Sequence, residues 1–140
     1  MGKSDCALIL SGEALTKIFL SPEMVQRFIA IGEKVSVVLA CRVSPKQKAD
    51  IVRVMKDKFP EKTSLSIGDG ANDVNMITTA HVGVGITGVE GQQAARSADF
   101  VIGQFRFLKP LLFIHGREAY RRNAYLVCYN FYKNAVFVLP

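Results

Sequence analysis

Asp69 and Asp73 bracket the stretch with the clearest chemical promise, Asp69-Gly70-Ala71-Asn72-Asp73. Two carboxylates are hard oxygen donors, and Mg²⁺ is a hard cation that takes one or two of them together with water and a phosphate oxygen. Before the stretch, Leu65, Ile67 and the small Gly68 have strand character; after it, Val74, Ile77 and the Met76/Ala80 pair follow helical spacing. A carboxylate at the C-terminal end of a strand, followed by a tight turn into a helix, is where open α/β sheets put their ligand chemistry. A helix start adds unpaired N–H groups and a partial positive charge, which suit a phosphoryl group. Gly70 is expected to take a backbone conformation closed to other residues, and Asn72 or Asp73 to cap the helix. The competing reading is a structural β-to-α turn. Asp-Gly is also a hairpin signal, but a hairpin needs alternating strands on both sides, and Val74 to Ala80 does not alternate.

The elements needed to position these carboxylates are legible on both sides. Ala7-Leu8-Ile9-Leu10 reads as a strand, Ser11-Gly12-Glu13 as a turn, and Leu15, Ile18 and Phe19 share one helical face. Ser21-Pro22-Glu23 opens a helix with Met24, Val25, Phe28, Ile29 and Ile31 as its apolar stripe and Gly32 as its end. Val35 to Cys41 is a continuous apolar run, the pattern of a strand buried on both faces. Pro45 opens a helix with Ile51, Val52, Val54 and Met55 on its inner side, and Phe59-Pro60 breaks it. His81 to Ile86 predicts a strand, residues 87–91 a loop, Gln92 to Ser97 a short helix and Asp99 to Ile102 a last strand. Strand and helix alternate throughout, which predicts an α/β fold with a Rossmann-like, doubly wound parallel sheet flanked by helices.

The 140 residues suffice for one compact domain. A formal charge of +6 points to an anionic partner, but no RNP-like, zinc-finger or basic-helix motif accompanies it, which argues against nucleic acid. Cys6, Cys41 and Cys128 are far apart and lack metal-ligand spacing. Cys6 and Cys41 lie in apolar runs and are expected to be buried thiols. The N-terminus has no apolar core of a signal peptide. His81 and His115 have no acid or cysteine at ligand spacing and read as structural.

From Phe105 the character changes. Arg106, Lys109, Arg117, Arg121 and Arg122 stand against one acid, Glu118, on an amphipathic stretch. Ala124 to Pro140 is mostly apolar and seventeen residues long, at the short end of the ~17–25 a membrane helix needs. Basic residues just before an apolar run match the cytoplasmic flank of a span. A C-terminal core helix is the alternative, and the interior Lys133 and Asn134 fit neither form simply.

The string GDGANDVNMI resembles the hinge motif of P-type ATPases, within the haloacid-dehalogenase-like superfamily. The continuation AHVGVGITGVEGQQAARSADFVIGQFRFLKPLLFIHGREAYRRN is similar to the phospholipid-transporting branch, the lipid flippases. This resemblance implies a haloacid-dehalogenase-like phosphorylation domain, incomplete here, over residues 1–104. A basic amphipathic linker helix would follow over 105–123, and the start of a truncated transmembrane helix over 124–140. It implies ATP as substrate and Mg²⁺ as cofactor, with Asp69 and Asp73 as metal ligands and Asn72 as a donor to a phosphate oxygen. In the motif Arg-Val-Ser-Pro-Lys-Gln-Lys, it assigns Lys48 to charge stabilisation at the phosphoryl group and Arg42 to a nucleotide phosphate. Taken alone, these would read as a solvated helix-start lysine and a surface arginine of little energetic weight. The resemblance also places Lys133 and Asn134 on the transport path of the family's fifth span.

What the family implies is an integral membrane ATPase of the plasma membrane or an endomembrane. This domain would face the cytosol, with phospholipid as cargo and room for an accessory membrane subunit. The family's nucleophile, an aspartate in a DKTGT-like motif, has no counterpart in this sequence; it and the earlier domains are expected to lie before Met1, leaving the isolated chain without turnover. Two other functions compete. A stand-alone phosphatase would need a nucleophilic aspartate after the first strand, where Ser11 stands. A non-catalytic basic module would bind acidic lipid or a partner through the segment from Arg106 to Arg122.

Overall fold

The computed structural model describes residues 4–88 and 92–139. The chain divides into two compact units, residues 1–101 and 102–140. The first is α/β, with parallel strands flanked by helices, as the alternating pattern predicts.

Strand β1 (Ser4–Ser11) pairs in parallel with β2 (Val35–Cys41), Ala7 opposite Val37 and Leu10 opposite Ala40. Helices α1 (Gly12–Leu20) and α2 (Pro22–Lys34) make the crossover. No separate turn follows β1. Ser11 ends the strand and caps α1, its hydroxyl accepting from the Ala14 N–H at 3.2 Å, because an N-cap residue keeps extended backbone and so belongs to both elements. Nor does Gly32 end α2. The helix runs on to Lys34, and the Val35 N–H closes it on the Ile31 carbonyl as Val35 enters the ladder opposite Ser4. Leu15, Phe28, Ile29 and Val35 are the buried residues of this half.

The remaining strands form a second sheet in the order β3 (Leu65–Gly68), β4 (Val82–Ile86), β5 (Phe100–Ile102), with β3 and β4 parallel. Helices α3 (Pro45–Lys58), α4 (Val74–Thr79) and α5 (Gln93–Ser97) flank it. Ile77, Val84 and Ala94 are buried almost completely, and Gly83 and Gly85 make that packing possible. A Cβ on Gly83 would come 2.5 Å from Ile77 Cγ2, and one on Gly85 2.7 Å from the Ala95 Cα.

The single doubly wound sheet expected from the alternation is therefore two parallel sheets among the described residues. Strands β2 and β3 share no ladder, and α3 connects the two halves by packing on both α1 and α4. One consequence overturns the reading of β2 as buried on both faces. Only Val35 is covered, while Val37, Val38 and Leu39 are 48%, 39% and 49% exposed, because a two-stranded sheet gives its faces no lateral cover. Cys6 and Cys41 are exposed for the same reason, not buried as their apolar settings suggest, and Cys128 is exposed as well. Residues 89–91 of the loop after β4 lie outside the described residues.

The second unit is helical. A 3₁₀ turn (Phe105–Phe107), the short α6 (Leu108–Pro110) and a π-helical stretch (Leu111–Gly116) lead into α7 (Arg117–Val138). Pro110 has no N–H to continue the ladder, and the six residues after it take the wider pitch. Helix α7 runs unbroken through Asn123 and Ala124 and holds no buried residue. Among the described residues, no helix is long and apolar enough to cross a membrane.

Candidate functional site

The first unit carries a carboxylate site at the C-terminal end of β3. Asp69 follows the last strand residue, Gly68, and its side chain is exposed. Gly70 has φ −115° and ψ 171°, extended backbone that any residue adopts, so the expected special conformation is absent there. The glycine that matters is Gly68. A Cβ on it would overlap Asp73, 2.2 Å from the Asp73 Cβ and 2.8 Å from Oδ2. The missing side chain lets the Asp73 carboxylate fold back against the strand end.

Asp73 closes a 3₁₀ turn (Ala71–Asp73), its N–H donating to the Gly70 carbonyl at 3.1 Å. It stands at the N-cap of α4, but its carboxylate does not cap that helix. Oδ1 instead accepts from Lys48 Nζ at 2.7 Å, and Oδ2 receives a long contact of 3.4 Å from the Asp69 N–H. The ion pair is partly buried, 31% exposed at Lys48 and 13% at Asp73. The carboxylate meets a cation 25 residues away in the chain in place of capping its own helix; either bond is charge-assisted, but the ammonium brings a full opposite charge where a helix N–H brings a partial one. Asn72 sits exposed within the same turn, its amide free of any role as a cap.

Lys48 reaches Asp73 from the first turn of α3, which is well defined at its start. Ser44 and Gln47 form a capping box, the Gln47 N–H donating to Ser44 Oγ at 3.3 Å and the Ser44 N–H to Gln47 Oε1 at 2.9 Å. Two turns further on, Lys56 Nζ donates to the Thr79 carbonyl at 2.8 Å. Helix α4 is thus held at both ends by lysines of α3, and the Lys56 anchor has no motif in the sequence to announce it. Gln47 carries a legible signal of its own, Ser-x-x-Gln ahead of an apolar run.

Arg42, just past β2, is the described non-glycine residue with positive φ, 51°. Its carbonyl lies where a Gly12 Cβ would be, at 2.5 Å. Among the described residues no hydrogen bond or ion pair ties Arg42 to Asp69, Asn72 or Asp73. Lys133 and Asn134 lie in α7, exposed and in the other unit. His81 has a structural role, its Nδ1 accepting from the Ser64 N–H at 3.1 Å.

The donor set fits Mg²⁺. Among the described residues no group of three or more His, Cys, Asp or Glu side chains is placed to hold a metal. Asp69 and Asp73 are two carboxylates four residues apart at one strand end, and Mg²⁺ takes one or two such oxygens together with waters and a substrate phosphate. Helix α4, at six residues, adds only a small dipole.

Residues 95–140 match the family described as phospholipid-translocating P-type ATPase C-terminal. Similarity to whole proteins extends much further. The chain is 53% identical over 133 residues to the probable phospholipid-transporting ATPase 5 of Arabidopsis thaliana, covering 95% of this chain and 11% of that protein. It is 48% identical over 133 residues to the phospholipid-transporting ATPase DRS2 of Saccharomyces cerevisiae, covering 95% of this chain and 10% of the relative. It is also 48% identical over 142 residues to the phospholipid-transporting ATPase 11C of Mus musculus, covering 97% of this chain and 13% of the relative. The chain belongs with the phospholipid-transporting P-type ATPases. It spans about a tenth of the length of the curated relatives it matches. The match takes in 95% of the chain and so reaches into both units.

Proposed function

We propose that this chain is the magnesium- and phosphate-side part of the phosphorylation domain of an ATP-driven phospholipid translocase, together with the start of a membrane helix. The observation that carries the reading is the Lys48–Asp73 pair at 2.7 Å, beside Asp69 at a strand end, in a chain about half identical to phospholipid-transporting ATPases.

In this reading Asp69 and Asp73 hold Mg²⁺. When bound, the ion neutralises charge on the oxygens of the transferring phosphoryl group. Lys48 fixes the Asp73 carboxylate and presents its own charge to the same oxygens, Asn72 donates its amide to a phosphate oxygen, and Arg42 meets a nucleotide phosphate. The acceptor of the phosphoryl group is an aspartate of a DKTGT-like motif, which these 140 residues do not contain, so the isolated chain has no turnover. The exposed Ile9, Val37, Val38 and Leu39 of β1 and β2 leave an apolar surface for a further segment of a haloacid-dehalogenase-like domain to cover.

The second unit enters the membrane from about Ala124. The exposed Tyr125, Leu126, Phe131, Val136 and Phe137 meet lipid, while Arg117, Arg121 and Arg122 stay at the cytosolic face. Lys133 and Asn134 lie on the lipid path, since an ionisable residue inside a span faces a cavity or partner. The intact protein is then an integral membrane protein of the plasma membrane or an endomembrane, using ATP and phospholipid, with or without an accessory subunit.

The test grafts this chain into the yeast relative in place of its matching stretch. The graft is expected to form an acid-stable phosphoenzyme from labelled ATP that depends on Mg²⁺. Asp69→Asn should abolish it without loss of folded protein, and a normal phosphoenzyme level in that variant at ordinary Mg²⁺ overturns the site. Lys133→Ala should leave phosphorylation intact and weaken stimulation of ATP hydrolysis by phospholipid. Unchanged stimulation removes Lys133 from the lipid path.

A further inference from the structure

Gln47 makes more of its side chain than a capping box needs. Its Oε1 accepts the Ser44 N–H at 2.9 Å, which is local. Its Nε2 donates both hydrogens to a different part of the fold, one to the Gly12 carbonyl at 2.7 Å and one to Thr16 Oγ1 at 2.9 Å. These partners lie 35 and 31 residues away, on the first two turns of α1. Thr16 Oγ1 in turn donates to the Gly12 carbonyl at 3.0 Å, so the three groups form a closed triangle. The same corner is tight in its backbone. A Cβ on Gly12 would lie 2.5 Å from the Arg42 carbonyl and 3.2 Å from Gln47 Oε1. The start of α1, the residue after β2 and the start of α3 therefore meet around Gly12.

The next residue in the chain is Lys48. Successive residues of an α-helix point about 100° apart, so one turn of α3 presents Gln47 to α1 and Lys48 to the Asp73 carboxylate. No strand ladder joins β2 to β3. The rotation and axial position of α3 consequently depend on side chains at its surface, and these decide where the Lys48 ammonium stands. Gln47 holds the side facing α1; Lys48 and Lys56 hold the side facing α4.

We infer that Gln47 is a positioning residue for Lys48, acting through the placement of α3 and touching no substrate itself. The tie is independent of the proposed function; the consequence for phosphoryl transfer rests on it. Glutamate at this position separates the two jobs of the side chain. It keeps an oxygen for the Ser44 N–H and sits favourably in a first helical turn, but it has no N–H for the Gly12 carbonyl.

The experiment uses the full 140-residue chain, with ¹⁵N-lysine labelling and the Lys48 ammonium line assigned through Lys48→Arg. A paired ammonium exchanges slowly with water and gives a visible line, and a free one is broadened. In Gln47→Glu the line is expected to move to the free-lysine position or broaden away, while circular dichroism stays that of the parent. An unmoved Lys48 line in folded Gln47→Glu overturns the inference. If Gln47→Glu does not fold, Thr16→Val decides alone. It leaves the capping box untouched and removes one acceptor, so a shifted line supports the inference and an unmoved one overturns it. In the yeast graft, Gln47→Glu should slow phosphoenzyme formation about tenfold with the ATP concentration for half-saturation unchanged; a change in half-saturation alone overturns the link to Lys48. A graft that forms no phosphoenzyme even with Gln47 sinks the proposed function and leaves the ammonium result standing.

Discussion

Strands β2 and β4 are written in the same alphabet and live in opposite surroundings. VSVVLAC and VGVGI are both short, apolar and β-branched, and both belong to parallel sheets. Yet β4 has three consecutive buried residues, Gly83, Val84 and Gly85, while β2 has one, Val35. The difference is in position. Strand β4 lies between β3 and β5, with α4 and α5 against it and two glycines that let Ile77 and Ala94–Ala95 approach the backbone. Strand β2 has one neighbour and no lateral cover. An apolar run is thus a capacity for burial, and whether it is used depends on what the chain brings over it. In this molecule the covered strand sits beside the carboxylate site, which places Asp69 and Asp73 on the better-packed half.

That contrast can be broken most forcefully at Gly85. Gly85→Ala puts a Cβ 2.7 Å from the Ala95 Cα and 2.9 Å from the Ala94 carbonyl oxygen, both backbone. The expected loss is about 3 kcal/mol, the upper part of the usual overpacking range, seen as a lower urea midpoint of the whole chain. A midpoint within error of the parent would mean that α5 is not seated on β4. Ile77→Ala comes next. Ile77 is 2% exposed, and truncation to Ala at the low end of the usual range, where α4 closes over the gap, costs about 2 kcal/mol; the same denaturation curve reads it. Gly32→Ala should go the other way. Nothing lies within 4 Å of a Cβ there and the residue is inside α2, so a gain of about 0.5–1 kcal/mol is expected. The smallest effect belongs to β2. Leu39→Ser, at a position 49% exposed, should change stability by no more than about 0.5 kcal/mol. A loss as large as that of Ile77→Ala would show that the face of β2 is covered after all, and would erase the contrast.

The same division between capacity and use runs through the site. The sequence by itself determined the alternation of strand and helix, the start of α3 at Pro45, and a carboxylate at the end of β3, because spacing, caps and proline act within a few residues. Even Gln47 announces its capping role, three residues after Ser44. Gly70 misleads for a physical reason. Asp-Gly suggests an unusual backbone angle, whereas the constraint here is a steric one at Gly68, created by a side chain that folds back from Asp73. Only the tertiary structure decided that Asp73 answers Lys48 and leaves α4 uncapped, that Gln47 reaches Gly12, and that Cys6 and Cys41 face outward. Each of these depends on groups tens of residues apart, or on the number of strands beside a strand. No local window of sequence contains such quantities; they exist only once the chain has packed.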